Sequence, residues 1–220
     1  MGHDITFHPV STADLRRFVF EVAADPGLIG ERAAELGTDE SDVTQILDMY
    51  GHFATWAIKV DSGQAPVGET FAFACAAISG YRHPFWFTRG AALSFLKNTA
   101  PELEELFEPI ASVCDPLTLP HSTALLTGNN SGSGILPRKH FGHLRELLEK
   151  LTKRPGEFAA DALHDVFGET GLDALNRALA YAAENDLDLI EASEVVIPAG
   201  QKTYTRWKNM RAHYLKVLDP

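Results

Sequence analysis

Polar and hydrophobic positions alternate at the start of the chain and then change to helical spacing. Ile5 and Phe7 alternate with polar residues before Pro9, which predicts a short strand with one buried face. Ser11 opens an S-x-x-D capping pattern, and the apolar residues after it keep helical spacing up to a breaker at 25–27. A strand followed by a helix is therefore predicted.

The longest helical signal follows. One apolar stripe recurs at intervals of three and four residues, a spacing that only a helix places on one face, and it consists of Val43, Ile46, Leu47, Tyr50, Phe53, Ala54, Ala57 and Ile58. Residues 71–78 are apolar and rich in alanine, which favours a buried helix over a strand.

Shorter patterns fill the rest of the chain. They predict helices over 91–96, 101–107, 137–151, 155–167 and 170–182, extended pieces at 187–189 and 195–197, and a final helix over 204–215. Residues 81–87 are interpreted as an aromatic connection, and 128–134 as a flexible loop. The fold class is therefore mainly α: a compact multi-helix domain with a minor short β element, α+β being the alternative.

Length sets the domain organisation. A chain of 220 residues is predicted to form a single globular domain over 1–220, with the 128–134 loop as the place where two halves would meet.

The net charge of the chain disfavours nucleic acid as a partner. The chain carries 19 Lys and Arg against 30 Asp and Glu, a net charge of −11, which disfavours nucleic-acid binding. The acidic residues are concentrated in the first half, because residues 1–110 carry 7 basic and 16 acidic side chains.

Cysteine spacing and the absence of targeting segments indicate the compartment. The two cysteines, Cys75 and Cys114, show no C-x-x-C spacing, and no signal peptide or membrane helix is apparent. A cytoplasmic protein without a membrane partner is therefore expected.

A glycine-rich segment before a helix suggests an anion-binding site. Such a loop cradles anions with its backbone N–H groups, although neither the Walker A nor the G-x-G-x-x-G spacing is satisfied here. The candidate ligand- or anion-binding residues are His121, Gly128, Asn129, Ser131, Gly132, Ser133, Gly134 and Arg138. The alternative is a flexible surface loop.

Histidines offer only weak candidates for a metal site. His140 and His143 are three residues apart on a predicted helix and could share an ion, but His140 lies within the apolar arc of that helix and His143 at its border. No metal site and no cofactor are therefore predicted.

Aromatic residues in 81–87 are candidates for a partner-binding patch. Tyr81, His83, Phe85 and Trp86 are residue types that anchor interfaces, and core packing is the alternative.

The N-terminus resembles that of a bacterial family. Met1–Pro9 fits an MG-x-D-x-x-F-H-P run found in uncharacterised bacterial proteins, and Leu189–Glu194 adds a second short similarity. The resemblance implies a bacterial cytoplasmic protein, and it implies no activity.

These observations together favour binding over catalysis. No catalytic constellation assembles along the chain, and the acidic front half together with the aromatic segment is suited to an interface. We expect a non-enzymatic interaction protein, immunity- or regulator-like, with a protein partner or self-association. The alternative is a metal- or phosphate-ligand-binding enzyme with a site around His121, the 128–134 loop and His140, to which His8 would add.

Overall fold

The described chain contains helical segments and strands. The computed structural model describes residues 3–61, 67–96, 99–108, 110–113, 132–153, 163–164, 166–167, 170–193, 196–198, 204–205 and 210–212. The helical segments are α1 (Thr12–Leu15), a π turn (Arg16–Phe20), α2 (Glu21–Ala24), α3 (Ile29–Leu36), α4 (Glu40–Asp61), α5 (Val67–Arg82), α6 (Phe141–Lys153) and α7 (Gly171–Glu184). Short 3-10 turns cover Pro26–Leu28, Leu93–Leu96, Pro101–Leu106, Ile110–Val113 and Arg138–His140.

The strands form one five-stranded sheet and one short ribbon. They are β1 (His3–Val10), β2 (Phe85–Gly90), β3 (Gly132–Leu136), β4 (Asp188–Ser193), β5 (Val196–Pro198), β6 (Tyr204–Thr205) and β7 (Met210–Ala212). The sheet order is β3-β4-β1-β2-β6 with antiparallel neighbours throughout, and β5 pairs with β7. Strands from both sides of the predicted 128–134 division therefore lie in one sheet.

Strand β1 is buried on both faces. Ile5 and Phe7 pack into a cluster with α6 and α7, whereas Val10 packs on the opposite side with residues of the π turn, α4 and α5. The prediction of one buried face is therefore wrong, because helices cover the sheet on both sides and even Thr6 and His8 are inaccessible to solvent.

The π turn brings three successive apolar side chains into the core. Phe18, Val19 and Phe20 are all buried, and the buried hydroxyl of Tyr50 on α4 donates a hydrogen bond to the Phe18 carbonyl at 2.7 Å. This contact ties α4 to the π turn. Burial also raises the pKa of Tyr50, which keeps its hydroxyl protonated.

The fold is mainly helical with a minor β component, as the sequence pattern predicts. The predicted helices over 43–58, 71–78, 137–151 and 170–182 are confirmed in α4, α5, α6 and α7. The pieces at 91–96 and 101–107 form 3-10 turns, and the predicted helix over 155–167 is described only at 163–164 and 166–167, which are helical.

Two local predictions are wrong. The described residues of the predicted final helix, Tyr204–Thr205 and Met210–Ala212, are strands that pair with β2 and β5. Residues 85–87 of the predicted aromatic connection begin β2. Among the described helices, none combines the length and the apolar character that a bilayer crossing requires.

His8 occupies the sheet face that packs against α5. Its ring is fully buried and stacks on Phe85 with ring centroids 4.8 Å apart, and within the described residues neither ring nitrogen has a hydrogen-bond partner. Burial lowers the pKa of His8 to about 3, so the ring is neutral in the folded protein.

We predict that His8 makes folding stability fall in acid. Below its ordinary pKa of 6.5 the unfolded chain takes up a proton that the folded chain excludes down to about pH 3. The free energy of unfolding should therefore decline by up to about 1.4 kcal/mol per pH unit in this window and be unaffected by His8 above it. Urea unfolding at a series of pH values measures this slope.

His8→Phe retains an aromatic ring beside Phe85 and should reduce the slope, whereas His143→Gln, at an exposed site on α6, should not. Equal slopes in His8→Phe and the parent chain would contradict the prediction.

We predict that Tyr50→Phe destabilises the fold by about 1–3 kcal/mol, because it removes the side-chain hydrogen bond to the buried Phe18 carbonyl. Denaturant unfolding followed by circular dichroism gives the difference. Tyr181→Phe, at a half-buried ring on α7, serves as the control, and a loss for Tyr50→Phe no larger than that of the control would refute the proposed role of the hydrogen bond.

Candidate functional site

The predicted aromatic patch lies mostly in the core. Phe85 is 0 % exposed and Trp86 4 % exposed, while Tyr81 and His83 are half-buried. The rings of Trp86 and Tyr181 have centroids 5.6 Å apart, so this segment packs against α7. The prediction that Phe85 and Trp86 present a partner-binding surface is wrong, because β2 is an inner strand of a sheet that is covered on both faces.

His83 stands at the margin of this packing. Its ring meets Tyr181 edge-on with centroids 6.2 Å apart, and burial lowers its pKa, partly opposed by the nearby Asp14 carboxylate. His83 is therefore neutral near pH 7 and adds no charge to the surface.

The predicted anion-binding loop is partly a strand. Gly132, Ser133 and Gly134 belong to β3, whose pairing with β4 shifts register between Gly132 and Ile135. Gly134 has φ of 91°, a conformation that favours glycine. A flexible loop is the wrong description of 132–134, because these residues form a bulged strand. His121, Gly128, Asn129 and Ser131 lie outside the described residues.

Arg138 is engaged by two carboxylates. Its guanidinium pairs with Asp186, and its backbone N–H donates to Asp188 at 2.8 Å. The guanidinium expected to complete the anion site is thus paired with Asp186, just before β4, and the backbone contact with Asp188 supports the chain path there.

The histidine pair is not assembled into a metal site. His140 lies half-buried in the 3-10 turn before α6, outside the core position predicted for it, and His143 is exposed on α6. Within the described part of the chain, no group of three or more His, Cys, Asp or Glu is placed to hold a metal ion.

Glu191 is a buried carboxylate that sequence reasoning missed. It lies in β4 at 2 % exposure and accepts a hydrogen bond from the Leu93 N–H at 2.9 and 3.0 Å to its two oxygens. The signal was a lone acid within the apolar run 189–192. The contact anchors the first amide of the 3-10 turn at 93–96 to the sheet, so its described role is structural.

A strongly acidic surface lies on the described helices of residues 21–50. Residues 21–50 contain eight acidic side chains and one basic side chain. Six of the acids are exposed on α3, on α4 or in the turns beside them, and we call this surface the acidic face: Asp25, Glu31, Glu35, Asp39, Glu40 and Asp48.

Two arginines neutralise one part of the acidic face. Arg17 reaches Glu35 at 2.8 Å, and this contact lowers the pKa of the Glu35 carboxyl. The buried Arg32 pairs with Glu31 and lies 3.4 Å from Glu21. Residues 39–48, which begin α4, contain four carboxylates and no basic side chain.

An exposed leucine lies within this negative region. Leu47 is 40 % exposed, and seven residues earlier along the helix Glu40 lies on nearly the same side of α4. Asp48 is the next residue. Ile46, Met49 and Tyr50 lie on the buried side of the same helix, whereas Leu47 is an apolar residue outside the core.

Comparison with known proteins gives no further assignment. The chain matches no protein-family model, no curated protein and no solved structure among those compared. The resemblance of the N-terminus to a bacterial family therefore stays a prediction.

Proposed function

We propose that this chain is a non-enzymatic interaction protein that binds a basic protein surface through the acidic face. An immunity- or regulator-like role is the most concrete form of this proposal. Phe85 and Trp86 of the aromatic segment lie in the core, so the proposal depends on α3 and α4.

The observation that carries the proposal is the position of Leu47 among carboxylates that make no ion pair within the described residues. Protein interfaces commonly combine an apolar anchor with a polar rim, and complementary charge speeds association and selects the partner. Leu47 supplies the anchor, and Glu40 and Asp48 supply negative charge beside it. A partner rich in Lys and Arg with an apolar residue among them fits this surface.

Charge also argues against two other occupants. Nucleic acid would bring phosphates against the four carboxylates of residues 39–48, and a second copy would bring the same carboxylates against themselves. Both contacts are repulsive, which leaves a basic protein as the favoured partner.

The alternative, a metal- or phosphate-ligand-binding enzyme, stays a prediction. His121 and part of the 128–134 segment lie outside the described residues, while Arg138 is paired with Asp186. No described contact favours this alternative over the interaction role.

We predict that Glu40→Lys/Asp48→Lys weakens binding of a labelled, Lys- and Arg-rich amphipathic peptide by at least about tenfold, because attraction at the acidic face becomes repulsion. Leu47→Ala should also weaken binding while leaving the charge unchanged. Fluorescence anisotropy titrations of the full chain measure both effects, and binding should weaken as salt screens the charges.

Glu102→Lys/Glu105→Lys is the matched control. It changes the net charge by the same amount at exposed positions of the 101–106 turn, and Glu102, like Glu40, lies in the first turn of its helix. The control should retain parental affinity. Equal losses of peptide affinity in both double variants would show that binding depends on net charge alone and would overturn the proposal. A dimer of the chain that Leu47→Asp dissociates would also overturn it.

A further inference from the structure

A second candidate site is a cleft whose described lining includes one arginine and two hydroxyl-bearing residues. It lies between α1 and the 3-10 turn at 110–113 and has a volume of about 430 Å³. The described residues that line it are Thr12, Ala13, Arg16, Glu108, Ser112 and Val113. Pockets for small molecules commonly have volumes of about 300–1,000 Å³, so the cleft is large enough for more than a bare ion.

Arg16 is the cation among the described lining residues, and no described carboxylate pairs with it. Arg17, Arg82 and Arg89 each pair with an acidic side chain at 2.8–3.3 Å, whereas Arg16 makes no ion pair within the part of the chain that the structure describes. Its side chain is exposed on the cleft wall. A guanidinium in this state has its full set of donors available for a ligand.

The backbone around Arg16 is unusual. The π turn begins at this residue, directly after the four residues of α1. Single π turns are rare in proteins and occur frequently at functional sites. The turn is thus an independent feature that coincides with the unpaired cation.

The other polar groups of the cleft suit the same ligand. Thr12 and Ser112 contribute hydroxyl groups. Glu108 is the acid of the lining, and the Lys139 ammonium holds its carboxylate at 2.9 Å. Asp14 points to Arg82 at 3.1 Å. The local balance of these groups is one positive charge.

We propose that this cleft binds a small molecule through an oxyanion group, a carboxylate or a phosphate, with Arg16 as the principal ligand-binding residue. The planar guanidinium donates two parallel hydrogen bonds to two oxygens of such a group. The Thr12 and Ser112 hydroxyls contact the rest of the ligand. This site is independent of the acidic face, so loss of one activity leaves the other intact.

The test uses two probes, phenyl phosphate and benzoate, which share a ring and differ in the oxyanion. Titration of the full chain, followed by the backbone amide signals of Thr12 and Ala13 in two-dimensional NMR, should give saturable shifts with at least one probe. The probe with the higher affinity assigns the class of ligand. Arg16→Gln should weaken that binding by at least about tenfold.

Arg145→Gln is the matched control, because Arg145 is also exposed and makes no ion pair within the described residues. It should bind as tightly as the parent chain, and circular dichroism checks that both variants fold. Absence of saturable shifts with both probes overturns the proposal. Equal weakening in the two variants also overturns it, since binding would then follow net charge.

Discussion

The burial of β1 on both faces is the constraint on which the rest of the structure depends. This strand is bonded on one side to β2 and on the other to β4, which lies at the far end of the chain. The Thr6 hydroxyl donates to the Ala192 carbonyl at 3.3 Å across 186 positions of sequence. Two hydrophobic clusters form only when helices cover both sides of this strand, so helix placement and strand pairing depend on each other.

The sequence predicts most of what is local and little of what is not. α4 and α6 were predictable because one apolar stripe at helical spacing is sufficient to identify a helix. β2 was missed because Phe85, Trp86 and Phe87 become a strand through hydrogen bonds to a segment about 80 residues away. The strands at 204–205 and 210–212 were missed for the same reason, since helical spacing there was overridden by pairing with β2 and β5.

The candidate sites also combine features that the sequence predicts with features that only the packing shows. The excess of acidic residues in the first half of the chain is evident from composition, and in the structure part of it forms the acidic face. The exposure of Leu47 is not readable, because its position continues the apolar stripe of α4 and only packing shows that Ile46, Met49 and Tyr50 take the core positions. The absence of a described ion pair at Arg16 is likewise a property of the fold, since an arginine next to another arginine gives no sign of which one is paired.

Hydrogen–deuterium exchange of the full chain, with and without the Lys- and Arg-rich peptide, tests the central claim most directly. A covered sheet that supports an acidic binding face predicts slow exchange in β1 and β4 in both states, with added protection confined to residues 29–50. Peptide-induced protection elsewhere, or none despite binding, would contradict the claim that the acidic face is where this protein meets its partner.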